Sequence, residues 1–180
     1  MKSNHKVALL TFSALFLALA LVLPFLTGQI PQFGSALLPM HLPVLLCGFL
    51  CGWPWGLAVG LIAPILRSLL FGMPPLMPTA IAMSFELAAY GAVSGFLYAK
   101  LAKTTLNTYV TLAVAMLVGR AVWGLVSLAL YSLILRAPFT GAMFLGGAFL
   151  NAWPGIVVQL ALVPPIVLAL TKVMRNTRGA

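Results

Sequence analysis

Apolar residues run through this chain in long blocks, with polar residues confined to short interruptions. A helix needs about 20 mostly apolar residues to cross a hydrocarbon core about 30 Å thick. Val7 to Leu26 meets that length between Lys6 and Thr27-Gly28-Gln29. It is too long for the core of a signal peptide and is read as a retained first helix. Residues 27–39 carry Gly, Pro and Gln and predict a loop. From Met40 to Leu70 the apolar run is broken by Gly52-Trp53-Pro54-Trp55-Gly56. A proline breaks or kinks a helix interior, and flanking glycines permit a sharp reversal. Two short antiparallel helices are therefore predicted, and the 72–78 segment, rich in Pro and Met, is the next loop. The helices fall at about 7–26, 40–52, 56–72, 79–100, 108–134 and 143–172, the last kinked by Pro154, Pro164 and Pro165. The pattern predicts an all-α membrane protein, a compact bundle of six transmembrane helices in one domain over 1–180.

Charge gives that bundle a direction. Lys2 and Lys6 precede the first helix, Lys100 and Lys103 follow the fourth, and Lys172, Arg175 and Arg178 follow the sixth. With six spans all seven fall on one side, and the opposite loops carry only Arg136. An excess of Lys and Arg marks the cytoplasmic side, so both termini are expected there. The composition agrees: 63% of the residues are hydrophobic and 6% charged, against about 25% charged in a soluble domain. The net charge of +9 does not indicate a nucleic-acid binder, because the cations are spread between apolar stretches. Glu86 is the single acid. Paired-carboxylate chemistry and nucleotide-hydrolysing metal sites need more than one, so any energy source is expected in a partner or a gradient.

Gly48, Gly52, Gly56 and Gly60 recur every four residues, and Gly91 and Gly95 repeat the spacing. In lipid, small residues four apart let helix backbones approach, so these glycines are read as packing positions. Cys47 and Cys51 are also four apart; an intrahelical disulfide is geometrically poor and soft ligands for a metal are lacking, so they too read as packing residues.

Ionisable groups inside a membrane are expensive and each is a candidate site. Glu86, His41, Arg67, Asn151 and Trp153 all fall in the outer half of the bundle, beneath the 27–39 and 73–78 loops, as a pocket open to the outside requires. Arg120 lies near the middle of the fifth helix. Only Glu86 can neutralise an arginine, so Arg67 and Arg120 compete for it, and the cation left over can contact the polar part of a ligand. Gln159 lies deeper and either caps helix packing or touches a ligand. Phe33, Met40, Phe71, Met73 and Met77 from the loops, with Phe85, Phe139, Phe144 and Trp153, are adaptable liners for a flat organic molecule and equally ordinary lipid-facing residues. The expected substrate-binding set is His41, Arg67, Glu86, Arg120, Asn151, Trp153, Met73 and Phe33, with no metal, cofactor or catalytic residue.

With these residues in view, nearly the whole chain resembles the substrate-binding S components of energy-coupling factor (ECF) vitamin transporters. The resemblance rests on LLPMHLPVLLCGFLCGWPWGLAVGLIAPILRSLLFGMPPLMP (37–78), FELAAYGAVSGFLY (85–98) and Gly119-Arg120, with the size, the six helices and the basic C-terminus. It implies tight binding of a water-soluble vitamin or precursor from outside. It also implies association with a transmembrane T component and two cytoplasmic ATPases, and a tipping movement that carries substrate inward. The alanine pair Ala14 and Ala18 matches the family's small-residue contact with the T component. Localisation in the cytoplasmic membrane of a prokaryote follows. One acid among abundant Phe, Met and Trp points to a small heteroaromatic ligand, with an anion such as pantothenate as the alternative substrate.

Three other classes compete. A stand-alone secondary transporter or channel would show internal repeats, and none is evident between the two halves. An intramembrane hydrolase built on Ser84, Ser127 or Ser132 with His41 as base lacks a GxSxG motif. A purely structural subunit would bind no small molecule tightly.

Overall fold

The computed structural model describes residues 2–27 and 36–178. Its helices are α1 (Lys2–Val22), α2 (His41–Cys51), α3 (Trp53–Phe71), α4 (Ile81–Lys100), α5 (Thr105–Ala129), the short α6 (Gly141–Leu145) and α7 (Trp153–Arg178). A 3-10 turn, Leu23–Thr27, ends α1. Wider turns at Leu130–Leu135 and Gly146–Leu150 extend α5 and α6, while Leu76–Ala80 leads into α4 through a kink at Met77, which is extended (φ −121°, ψ 135°). No strand occurs among the described residues, as the block-like apolar pattern predicts.

Among the described residues, five helical runs are long and apolar enough to cross a membrane: Lys6–Leu26, Trp53–Phe71, Leu76–Lys100, Thr105–Leu135 and Gly141–Lys172. The sixth expected span, α2, is an apolar helix of 11 residues, about 16 Å at 1.5 Å per residue. That is about half a hydrocarbon core.

The α2–α3 break falls where the prolines and glycines place it, but α3 starts earlier than expected. Gly52 takes φ 94°, a conformation that side chains disfavour. Helix then resumes at Trp53 because Pro54 is tolerated in a first turn, where its missing N–H has no intrahelical partner. The same rule acts in α7. The chain turns at Asn151–Ala152, Pro154 stands in the opening turn, and helix continues through Pro164 and Pro165. At the other end of the bundle, Thr104 caps α5 by accepting from Asn107 N at 3.2 Å. Lys103 Nζ donates to Tyr98 O at 2.8 Å and lies 3.6 Å from the Tyr98 ring centroid. Partial burial there lowers the Lys103 ammonium below its ordinary range.

Packing centres on α4, the most enclosed of the long runs, which is flanked by α2, α3 and α5. The glycine series explains how three backbones share that space. A Cβ on Gly56 would stand 2.6 Å from Gly91 O and 2.7 Å from Gly48 Cα. A Cβ on Gly95 would meet the Trp53 and Gly52 backbone, and one on Gly60 the Leu87 carbonyl. Glycine is required at these crossings because main chain meets main chain. Val44, Leu45, Leu87, Leu112, Ala115, Val163 and Val167 fill the centre. Helix α1 packs on α2 and α3 through Ser13, Phe16 and Ala20, while Ala14 and Ala18 face outward. Cys47 Sγ lies 3.7 Å from Ser13 Oγ, and both cysteines are buried free thiols, in keeping with the packing role read from their spacing.

Candidate functional site

Three charged or ionisable members of the site come from three different helices. His41 opens α2, Glu86 stands just over one turn into α4, and Arg120 lies in the middle of α5. Arg120 Nη1 is 2.7 Å from Glu86 Oε1, and His41 Nε2 is 3.4 Å from the same oxygen. All three are buried, with His41 and Glu86 1% exposed and Arg120 4%. The competition for the single carboxylate is thereby decided for Arg120.

Tyr90 completes the group, one turn after Glu86 on α4. It is fully buried, and its ring meets His41 edge-on at a centroid distance of 5.2 Å. The ring fits because α5 carries Gly119 at that height: a Cβ there would come within 2.5 Å of Tyr90 Cε2. Gly119 and Arg120 thus do separate jobs, one admitting the tyrosine ring and the other meeting the carboxylate. Tyr90 is absent from the expected site set. The signal that could have found it is its spacing four residues from Glu86, which puts both on one helix face.

Several polar atoms here have no hydrogen-bond partner among the described residues: His41 Nδ1, Tyr90 Oη, and Arg120 Nε and Nη2. In lipid each such group costs several kcal/mol. The cluster therefore holds more hydrogen-bonding capacity than its own members use.

Arg67 lies elsewhere. Its Nη1 donates to Leu21 O at the end of α1, and its guanidinium sits 4.8 Å from the Phe25 ring centroid and 5.4 Å from that of Phe71. Those two rings meet edge-to-face at 5.0 Å. The arrangement gives a buried cation a carbonyl and two π faces in place of a carboxylate. Asn151 and Trp153 are exposed, Trp153 at 62%, and Met73 is half-buried in the α3–α4 connection. Phe33 lies outside the described residues. The structure thus gathers His41, Glu86 and Arg120, and holds Arg67, Asn151, Trp153 and Met73 outside the ion-paired cluster.

Two further features frame that end of the bundle. Trp123, one turn beyond Arg120 on α5, stacks on Phe144 at 6.2 Å and meets Phe139 at 6.1 Å. Gly147 and Gly124 make room for the Trp123 and Phe144 rings. The segment leading into α2 crosses directly over α7: a Cβ on Gly155 would lie 2.7 Å from Ala36 O. Among the described residues no group of three or more His, Cys, Asp or Glu could hold a metal ion.

Apolar helices long enough to cross a membrane, packed around a buried ion-paired cluster, define a multi-pass membrane protein. The model of the family described as ECF transporter, substrate-specific component, matches residues 8–167. The chain belongs to that family. It is a substrate-specific subunit of an ECF importer, a transporter subunit and not an enzyme, and family membership implies association with the T component and ATPases of the ECF module. Comparison with curated proteins and with solved structures found no match.

Proposed function

We propose that this subunit captures a neutral, small heteroaromatic vitamin or vitamin precursor from outside the cell, in a pocket whose polar wall is His41, Glu86, Tyr90 and Arg120. The observation that carries the reading is the set of buried hydrogen-bonding atoms on these residues that have no partner among the described residues. A ligand with matching donors and acceptors would satisfy them in a dry site, where each such bond discriminates strongly. Charge balance supports a neutral molecule. Arg120 and Glu86 offset one another, and Arg67, the other membrane cation, is engaged by Leu21 O and two aromatic rings. An anion such as pantothenate would need a cation that this arrangement does not leave free.

Capture would take place beneath the α1–α2 and α3–α4 connections, to which Met73 and Phe33 belong. In this reading six segments cross the cytoplasmic membrane of a prokaryote with both termini inside. A T component docks on the Ala14–Ala18 face, and two ATPases supply the energy. The test is to purify the protein in mild detergent, denature it, and identify released compounds by mass spectrometry. A near-stoichiometric neutral heteroaromatic compound is expected. A release containing no such compound, together with no thermal stabilisation by any of a panel of water-soluble vitamins, would sink the reading.

A further inference from the structure

Gln159 is 1% exposed, and neither atom of its carboxamide has a hydrogen-bond partner among the described residues. It stands on α7, which packs against α2 and α5, the helices that carry His41 and Arg120. A contact near the basic end of the bundle fixes its height. Tyr98 Oη of α4 lies 3.3 Å from Thr171 Oγ1 of α7, which sets those two residues level. Counting back from that contact, Glu86 precedes Tyr98 by as many residues as Gln159 precedes Thr171, about 18 Å along each helix at 1.5 Å per residue. That count puts Gln159 at about the height of the ion-paired cluster.

We infer that Gln159 is a specificity-determining residue of the site proposed above, on which this inference rests, and that its carboxamide reads an adjacent donor–acceptor pair on the ligand. A carboxamide presents an N–H donor and a carbonyl acceptor side by side. The complementary edge is that of a lactam, imide or amino-azine within a heteroaromatic ring. No other member of the cluster offers that pair: Glu86 accepts, Arg120 donates, and His41 and Tyr90 supply single ring or hydroxyl atoms. The charged groups then position the ligand, and the neutral amide distinguishes one ring edge from another. A ligand lacking the edge would leave both amide atoms buried and unpaired, the situation in which discrimination is largest.

The experiment uses the full chain in detergent, with neutral bicyclic heteroaromatic lactams and their N-methyl counterparts as probes and thermal shift or calorimetry as readout. The native protein is expected to prefer the N–H form by roughly tenfold or more. Gln159→Met, which keeps length and removes the amide, should bring that preference close to unity. Gln159→Asn, which withdraws the amide by one methylene, should do the same and provides the readout if the Met variant does not accumulate. A preference unchanged in the variants overturns the inference and leaves the pocket standing. So does a native protein that releases a bound heteroaromatic compound but ignores every lactam. If nothing is released and nothing binds, the pocket reading fails and takes this inference with it.

Discussion

Glu86 can neutralise one arginine, and two lie within the apolar stretches. Membrane depth alone favours Arg67, which shares the outer half of the bundle, yet Glu86 lies 2.7 Å from Arg120. The reason is rotation: Glu86 shares the inward face of α4 with Tyr90, and that face meets α5 at Gly119 and Arg120. Removing one partner of a buried pair strands the other and costs about 3–5 kcal/mol. Glu86→Gln and Arg120→Gln should therefore each lower the unfolding temperature in detergent and weaken binding. The double variant should be less damaged than the two losses added, with a coupling of roughly 1–3 kcal/mol. Additive losses would show that the contact is energetically idle. Which residues are polar and intramembrane was legible along the chain. The spacing of Tyr90 from Glu86 puts both on one helix face, but its role shows only where its ring meets His41.

At the scale of elements, the glycine spacing was readable and its geometry was not. Repeats at Gly48–Gly60 and Gly91–Gly95 indicate close packing, but not that α3 and α4 meet through Gly56 and Gly91. Those positions allow no Cβ without displacing backbone. Gly91→Ala should cost about 1–3 kcal/mol or more, the usual range for overpacking, and lower the melting temperature visibly. Gly141→Ala, with nothing within 4 Å of the added carbon, should leave it unchanged. Equal effects at both would remove the close crossing as a stabilising feature. Element boundaries departed from expectation where prolines are tolerated: Pro54 and Pro154 sit in the opening turns of α3 and α7 instead of interrupting them.

For the whole molecule, the proposed orientation and docking face rest on two surfaces. The basic end carries Lys100, Lys103 and Lys172, and the opposite connection carries Arg136. Cysteines introduced at Ala102 and Ala137 should therefore react with impermeant maleimides from opposite faces of the membrane, Ala137 from outside. Labelling of both from one face would reject the six-span topology. On α1 the buried residues Ser13, Phe16 and Ala20 leave Ala14 and Ala18 on the outward side. Ala14→Trp or Ala18→Trp should spare ligand binding but reduce ATP-dependent uptake at least tenfold in proteoliposomes holding the partner module. Uptake at the native rate would move the docking face elsewhere, and uptake without the partners would indicate a self-sufficient carrier.

The order of residues alone places this chain in a bilayer, packs its helices through small residues, and puts a single acid among apolar spans. These follow from composition and short-range spacing, because transfer into lipid and helix formation are decided locally. Only the three-dimensional packing shows that Arg120 rather than Arg67 meets Glu86 and that Tyr90 closes on His41. Each depends on how far one helix is turned and shifted against another, which is set by side chains far apart in the chain and by backbone crossings such as Gly56 on Gly91.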